Sequence, residues 1–370
     1  MTGRHTGHAT VRGNKRPELG LAKNEPTVAG VLREAGYRTA LFGKWGLGGP
    51  GAGSVPNTCG FDEFYGYLDQ LHAHTSYPEH LWDNQNEAFL TENWFGQRKS
   101  FSNDLFTRRA LDFIGRQGDA PFFLYLAYTV PHANNELGRF QENGMEAPDE
   151  GPYAAESWKP VEKTFAASIT RMDSDIGRIL EAIRSQGLDG NTLVIFSSDN
   201  GPHREGNHDP DFFRSRGPLR GIKRDLYEGG VRVPAIARWP GMTPAGKTSD
   251  AVWAFWDFLP TAAELAGATP PRAIDGASFV PALTGKPSGA GRTLYWEFHE
   301  DGFHQAARRR NWKLVRQGRE QKLELFDLAE DIGETRNLAA DRPAVVRELE
   351  AQFRAARTDS PWFPVPAGRG

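Results

Sequence analysis

The chain of 370 residues has one cysteine, Cys59, so no disulfide can form within it and no metal can be held by several thiolates. No apolar stretch approaches the length of about 18 residues that a membrane span needs. The first residues lack the apolar core of a signal peptide, and the cellular location is left open. These absences predict that the chain has no membrane span, and they leave Cys59 as a small buried apolar residue.

Charge of a single sign is also missing. The chain has 44 Lys and Arg residues against 47 Asp and Glu residues, which gives a net charge of -3. A protein that binds nucleic acid mainly through its phosphates needs a strong positive field, and this composition provides none. The sequence therefore predicts no nucleic-acid partner, and any recognition of an anion must be local.

Strand patterns alternate with helical patterns over the first three quarters of the chain. Apolar runs predict strands at 37–42, 121–128 and 192–196, and a helical repeat covers 103–116. The clearest helix extends from Phe165 to Ile183, where apolar residues recur every three or four positions. This alternation predicts an α/β fold with a central, mostly parallel (mixed) sheet between layers of helices.

The last quarter has a different pattern. Short alternating segments at 293–298, 312–315 and 323–327 predict an antiparallel sheet, and a helical repeat follows at 343–357. We interpret the basic run from Arg308 to Arg310 as a solvated sheet edge that discourages further strand pairing. The chain is thus divided into an α/β domain at 1–290 and a small α+β subdomain at 291–370.

Reactive side chains follow three of the predicted strands. Lys44 lies in a glycine-rich loop after the first strand and His132 follows the second. Asp199 and Asn200 follow the strand at 192–196, and Lys223 lies in a later loop. Ligands of open α/β sheets bind at the carboxyl ends of the strands, so we expect these residues to lie close together.

This set of residues suits a tetrahedral anionic ester. A cation bound by carboxylate and amide oxygens, together with two lysines, would neutralise the ester oxygens, and an imidazole would assist the leaving group. Phosphate and sulfate esters both meet this description. These residues alone do not show whether the ester is a phosphate or a sulfate.

The order of short motifs along the chain resembles the sulfatase family, and most closely its bacterial arylsulfatase-like branch in the alkaline phosphatase superfamily. The motifs extend over nearly the whole chain, and their combination carries the resemblance. They are Gly36-Tyr37-x-Thr39, Gly43-Lys44-Trp45, Pro131-His132, Met172-Asp173, Ser198-Asp199-Asn200-Gly201, Gly221-x-Lys223, Glu228-Gly229-Gly230-x-Arg232-Val233-Pro234, Asp275-Gly276 and Glu324-Leu325-Phe326-Asp327-Leu328.

The resemblance implies roles for the five residues. Asp199 and Asn200 would be two ligands of a calcium ion, with magnesium as the alternative, since both ions prefer oxygen ligands. Lys44, His132 and Lys223 would bind the sulfate or assist the leaving group. The family often has a second histidine two residues after this lysine, and Gly46 stands there instead.

The resemblance also draws attention to what is missing. Sulfatases use a cysteine or serine in a C-x-P-S-R type motif, oxidised to formylglycine, and a pair of aspartates on the first strand completes the metal site. None of these occurs here, and Cys59 lacks the flanking motif. Since the chain opens on Met1-Thr2-Gly3-Arg4, we expect it to begin just downstream of the nucleophile and to lack the first strand of the family fold.

Three functions remain open on these grounds. The first is a sulfatase acting on a small-molecule or carbohydrate sulfate ester, inactive without its missing segment. The second is a non-catalytic remnant or binding module, and the third is a phosphonate or phosphate ester hydrolase of the same superfamily. Family members are often periplasmic or secreted.

Other residues near the predicted site are open to two interpretations. Four histidines flank the site loops, and we expect rim or structural roles for them: His72, His74, His203 and His208. Three aromatic residues either form a wall for the leaving group or belong to the core: Tyr77, Trp82 and Trp94.

Overall fold

A central sheet of five strands organises the computed structural model, which describes residues 1–14, 19–287, 291–300, 302–317 and 322–366. The strand order is β4-β3-β2-β1-β5. β1 pairs in parallel with β2 and β5, whereas β3 and β4 extend the sheet as an antiparallel hairpin. The strands are β1 (Arg38–Lys44), β2 (Glu63–Tyr67), β3 (His80–Asp83), β4 (Asn86–Phe89) and β5 (Phe122–Ala127).

Helices cover both faces of this sheet, as the alternating pattern predicted. Along β1, Phe42 faces a cluster that includes Phe113, while Leu41 faces the opposite cluster with Phe64. This alternation follows from the two-residue period of a strand and makes β1 buried on both sides. On the Phe42 side lie α2 (Ser102–Gly115) and α3 (Pro160–Ser185), and on the other lie α1 (Val28–Glu34) and α5 (Phe258–Leu265). Two single-turn helices, α4 (Glu228–Val231) and α6 (Val280–Leu283), lie in the connections.

Gly43 marks a close approach of three strands at the end of β1. Its φ is 124°, and it pairs with Gly66 on one side and Ala127 on the other. A Cβ atom at Gly43 would lie 2.0 Å from the carbonyl oxygen of Ala127. Only glycine fits this position, which directly precedes Lys44, the last residue of β1.

A second sheet lies across a cavity from the first. It consists of β6 (Val194–Ser197) and β7 (Ala235–Arg238), which pair in antiparallel fashion. No ladder connects β5 to β6 in the described residues. Instead, a cavity of about 2220 Å³ is lined by β5, β6, the inner face of α3 and α5.

The side chains around this cavity are more exposed than their composition would predict. β5 reads Phe-Phe-Leu-Tyr-Leu-Ala, yet its residues are only half-buried and Tyr125 is 40% exposed. An apolar strand in the middle of an α/β sheet is normally buried on both faces. β5, at the end of its sheet, therefore presents apolar, half-buried side chains to the cavity.

The C-terminal region forms an antiparallel sheet in the order β11-β10-β9-β8. One face packs on α7 (Pro343–Ala355) through Leu349 and Phe353, and the other packs on Leu226 and Tyr227 of the α/β region. Residue 290, the predicted domain boundary, lies outside the described residues. The strands are β8 (Thr293–Phe298), β9 (His304–Arg309), β10 (Trp312–Arg316) and β11 (Leu323–Asp327).

The interpretation of the basic run as a sheet edge was wrong. Arg308 and Arg309 belong to β9, an inner strand that pairs with β8 and with β10. Arg308 extends along the buried side and meets Glu228 at 3.3 Å, and Arg309 pairs with Glu348 of α7. Long basic side chains can lie within a sheet when each meets a carboxylate at its end.

Among the described residues no helix is both long enough and apolar enough to cross a membrane.

A buried ion network ties this sheet to the rest of the molecule. Lys313 of β10 is fully buried, and its Nζ lies 2.9 Å from Glu228 Oε1 and 3.0 Å from Glu334 Oε1. Glu334 Oε2 also accepts a hydrogen bond from the backbone N–H of Glu228, at 2.6 Å. Burial would raise the pKa of Glu228, but the ammonium of Lys313 holds that pKa below its usual value.

Replacing Lys313 by methionine should strongly destabilise the protein. Removing one member of a buried ion network leaves the others buried without compensation, at a cost of about 3–5 kcal/mol. We expect Lys313→Met to lower the free energy of unfolding in urea by that amount, as followed by tryptophan fluorescence. The matched control is Lys247→Met at an exposed position, where a change within about 0.5 kcal/mol is expected. Equal effects of the two substitutions would contradict the role given to Lys313.

Candidate active site

The structure brings the five predicted residues together. Each of them lines the cavity beyond the strand ends: Lys44, His132, Asp199, Asn200 and Lys223. The parallel strands β1 and β5 place Lys44 and His132 at the same edge of the sheet, while β6 delivers Asp199 and Asn200 from the other side of the gap. The site is therefore built across the cavity that separates the two sheets.

Lys44 is the last residue of β1 and is half-buried. Burial lowers the pKa of Lys44, and the negative charge of Asp199 partly offsets that effect. The positive charge of Lys223 lowers the same pKa further. Asp199 and Lys223 are thus close enough to Lys44 to affect its pKa.

His132 is held in one tautomer by its two neighbours. Its Nδ1 lies 2.7 Å from the carbonyl oxygen of Ala133, which can only accept, so Nδ1 carries the proton. Its Nε2 lies 2.9 Å from Nζ of Lys223, which can only donate. Burial and the ammonium of Lys223 lower the pKa of His132 to about 3. His132 is therefore a neutral imidazole, and the lone pair on its Nε2 faces the ammonium of Lys223.

Glu205 completes this cluster and was not predicted from the sequence. Lys223 Nζ donates to Glu205 Oε2 at 2.7 Å as well as to His132, and Arg224 reaches Glu205 Oε1 at 2.7 Å. Burial would raise the pKa of Glu205, but the charge of Lys223 brings it down to about 2. A glutamate in a polar loop has no local pattern that distinguishes it from a surface residue, so only the fold reveals its partners.

Asp199 and Asn200 are fixed by the backbone around Gly201. The N–H of Gly201 donates to the carbonyl oxygen of Gly230 at 2.9 Å, and a Cβ at Gly201 would lie 1.8 Å from the carbonyl oxygen of Gly229. Asn200 Nδ2 donates to the carbonyl oxygen of Gly201, which leaves its Oδ1 without a described partner. The exposed Asp199 carboxylate likewise makes no hydrogen bond or ion pair with the described residues. Two oxygen ligands are therefore available side by side.

The neighbouring histidines serve structural roles around this centre. His203 Nε2 donates to the carbonyl oxygen of Pro131, and its Nδ1 accepts the N–H of Glu205, so it ties the two loops together. His208 is buried against Phe165 and bonds to Glu162 at 2.6 Å. His74 stacks on His132 at 5.2 Å between ring centroids and pairs with Glu136. His72 lies two residues away and packs on Tyr67.

The three aromatic residues for which the sequence allowed two roles do not line this cavity. Tyr77 is buried in the core, Trp82 is half-buried on β3, and Trp94 is partly exposed. None of the three is among the residues that line the cavity around Lys44 and Lys223. A wall for an aromatic leaving group is therefore not formed by them.

Family models match the chain along most of its length. The model described as Sulfatase matches residues 1–268, and the model described as N-sulphoglucosamine sulphohydrolase, C-terminal, matches residues 222–359. The N-acetylgalactosamine-6-sulfatase of Canis lupus familiaris is 31% identical over 284 residues, which are 72% of this chain and 50% of that protein. An uncharacterized sulfatase of Escherichia coli is 26% identical and covers 96% of this chain and 70% of its own length. The chain thus spans about half the length of the first of these relatives.

Solved structures share the fold. The structure of Ps i-CgsB in complex with k-i-k-neocarrahexaose has a TM-score of 0.80 at 25% identity, covering 99% of this chain and 83% of that one. A phosphonate monoester hydrolase from Silicibacter pomeroyi has a TM-score of 0.60 at 18% identity, covering 96% of this chain and 83% of its own. At 18% identity, the similarity to the phosphonate monoester hydrolase shows a shared fold and nothing about function. The predicted α/β fold with its C-terminal antiparallel sheet is confirmed.

The protonation of His132 provides a direct test of the cluster. A folded pKa of about 3 lies below that of an unfolded histidine, so the unfolded state binds more protons as the pH falls and the native state loses stability. We expect ¹⁵N NMR of the imidazole, assigned with a His132→Gln spectrum, to show a neutral Nδ1–H ring from pH 7 to pH 5.

The same experiment has a matched pair of variants. In Lys223→Met the pKa of His132 should rise, because the ammonium of Lys223 lowers it. Lys247→Met, which alters an exposed lysine, should leave the titration unchanged. A ring that titrates near pH 6.5 in the unmodified protein would rule out the described cluster.

Proposed function

The chain belongs to the sulfatase family, and we propose that the protein uses the site described above to bind and hydrolyse sulfate monoesters. The observation that carries this proposal is the convergence of two lysines and a neutral histidine beside an aspartate and asparagine pair, all lining one cavity. A sulfate monoester presents oxygens that need positive charge and a leaving oxygen that needs a proton. The site provides groups for both needs.

Lys44 and Lys223 are the groups that bind the ester oxygens in this proposal. Lys223 is paired with Glu205 and His132 in the structure, so its ammonium is already oriented at the cavity. A sulfate oxygen that accepts the third hydrogen of this ammonium would gain a charge-assisted hydrogen bond while His132 and Glu205 keep the other two. Lys44 supplies a second positive charge from the end of β1.

His132 orients Lys223 by accepting a hydrogen bond from its ammonium. The hydrogen bond from Nδ1 to Ala133 fixes the ring, and the lone pair on Nε2 faces Lys223. When the bond to the leaving oxygen breaks, the proton that this oxygen requires is at Lys223 Nζ. His132 Nε2 and Glu205 hold the other hydrogens of that ammonium in place.

We propose a calcium ion as the cofactor, with magnesium as the alternative. Asp199 and Asn200 fit such an ion in kind, because both offer oxygens and neither oxygen is used by a described neighbour. They supply two of the about six to eight ligands that calcium takes, so others must come from outside this pair. When bound, the ion would withdraw charge from the sulfate and the attacking group.

The attacking group of the family is not among these residues. The sequence contains no cysteine or serine in a C-x-P-S-R type motif. We propose that the polypeptide that completes the site occupies the cavity between β5 and β6, whose apolar walls fit a buried strand. Lys44, His132 and Asp199 border this cavity, so a residue at the end of such a strand would reach all three.

A second candidate function is non-catalytic binding of sulfate esters. It is favoured by the same absence of a nucleophile motif, since the lysines and the histidine need no nucleophile to hold an anion. The proposal of phosphonate hydrolysis is supported only by the fold that the chain shares with a phosphonate monoester hydrolase. The substrate that we propose is a carbohydrate sulfate, because the relatives named above include N-acetylgalactosamine-6-sulfatase.

Turnover distinguishes these functions. The protein to assay consists of the 370 residues together with any residues encoded in frame upstream of Met1. It should hydrolyse 4-nitrophenyl sulfate with a kcat/KM at least about tenfold above that for the matching phosphate and phosphonate esters. Lys223→Met should reduce that kcat/KM by about a hundredfold or more, because it removes charge stabilisation in the transition state. Lys23→Met, at an exposed position outside the cavity, should leave it unchanged. Better turnover of the phosphonate would refute the proposal, whereas binding without any turnover would favour the non-catalytic module.

Metal binding can be measured on the 370-residue chain itself. Isothermal titration with calcium should detect a site that Asp199→Asn weakens about tenfold or more, because a carboxylate ligand loses its charge. Asp341→Asn, at an exposed position outside the cavity, is the control and should bind as the unmodified chain does. Equal affinities in all three proteins would refute the assignment of Asp199 as a ligand, and tighter binding of magnesium would favour the alternative ion.

A further inference from the structure

A carboxylate stands among the positive groups of the proposed sulfate site. Glu205 Oε2 lies 2.7 Å from Lys223 Nζ and 3.3 Å from His132 Nε2, and Glu205 Oε1 lies 2.7 Å from the guanidinium of Arg224. The side chain of Glu205 is only 10% exposed. Burial opposes its ionisation, yet the charge of Lys223 brings the pKa of Glu205 to about 2. The site therefore contains a full negative charge at neutral pH.

The main chain of Glu205 is tied to the loop that carries His132. The N–H of Glu205 donates to Nδ1 of His203 at 3.0 Å, and its carbonyl oxygen accepts the N–H of His208 at 3.1 Å. His203 in turn donates to the carbonyl oxygen of Pro131, which directly precedes His132. With its backbone held in this way and its carboxylate in ion pairs, Glu205 is a fixed part of the site.

The charge of Glu205 acts on more than its direct partners. Burial lowers the pKa of Lys44, and Asp199 and Glu205 both act against that shift. On the outer side, Arg224 is 39% exposed and lies 3.5 Å from Glu300 as well as near Glu205. Glu205 thus offsets part of the positive charge that the two lysines and Arg224 present to a ligand.

An ester oxygen bound by Lys223 would lie close to Glu205. The ammonium has three hydrogens at tetrahedral angles, and His132 and Glu205 accept two of them. Two acceptors that are each about 2.8 Å from one nitrogen lie about 4.6 Å apart in that geometry. Negative charges at such a distance repel one another, and the repulsion is larger where water is partly excluded. The charge of the ester therefore affects how well it is accepted beside Glu205.

We propose that Glu205 is a specificity residue, which lowers the affinity of the site for an ester with two negative charges more than for an ester with one. A sulfate monoester has one negative charge, whereas a phosphate monoester has nearly two above its second pKa of about 6. The repulsion by one carboxylate grows in proportion to the charge of the ligand. This inference rests on the proposed sulfatase function and assigns to one residue the selection between two esters of the same shape.

Binding of methyl sulfate and methyl phosphate tests this role on the 370-residue chain. Glu205→Gln removes the charge and keeps an oxygen that can accept from Lys223. In titration calorimetry at pH 8 we expect it to strengthen the binding of methyl phosphate about tenfold and that of methyl sulfate about threefold. At pH 5 methyl phosphate has one charge, so both probes should gain equally. Neither Glu205 nor His132 changes its charge between these pH values, because their pKa values are about 2 and about 3.

Two further variants separate charge from a structural effect. Glu205→Asp keeps the charge and should keep the ratio of the two affinities. Glu87→Gln removes the same charge at an exposed position outside the cavity and should change neither affinity. If Glu205→Gln changes both affinities at pH 8 by the same factor, or leaves both unchanged, the role of Glu205 is overturned and the proposed sulfate site stands. If the unmodified chain does not bind methyl sulfate, the proposed sulfate site is overturned as well.

Discussion

The ion network around Lys313 is the interaction on which the active-site geometry depends. Lys313 belongs to the C-terminal sheet, yet it fixes Glu228, and the two glycines after Glu228 hold Gly201 through its backbone. Asp199 and Asn200 are thereby anchored to a sheet that contributes no residue of its own to the five-residue set. Because the network is buried, its members hold one arrangement, and the small C-terminal subdomain helps to position the Asp199 and Asn200 loop.

The proximity of the five predicted residues could be predicted because several of them follow strands. Lys44 ends β1, His132 follows β5 and Asp199 follows β6, so the rule for ligand binding in α/β sheets placed them near one another. Glu205 and the tautomer of His132 were not predictable, since both depend on contacts between residues far apart in sequence. β9 was missed for a related reason: its arginines look solvated until the carboxylates of Glu228 and Glu348 are seen at their ends.

Electrostatics at the centre are arranged around one shared ammonium. Lys223 is bonded to a neutral imidazole and to a carboxylate, so its positive group is held at the cavity. His203 contributes indirectly, because it links the loop of Pro131 to the backbone of Glu205. The cluster therefore presents fixed groups that suit an anion.

The backbone contact between Gly43 and Ala127 has a consequence for how such a protein diverges. Neither Gly43 nor its partner Gly66 can accept a side chain without moving a neighbouring strand, so the reactive edge of the sheet is closed to variation. The surrounding loops are under no comparable constraint. Substitutions that change what the cavity binds should therefore be tolerated more readily in these loops than at Gly43 or Gly66.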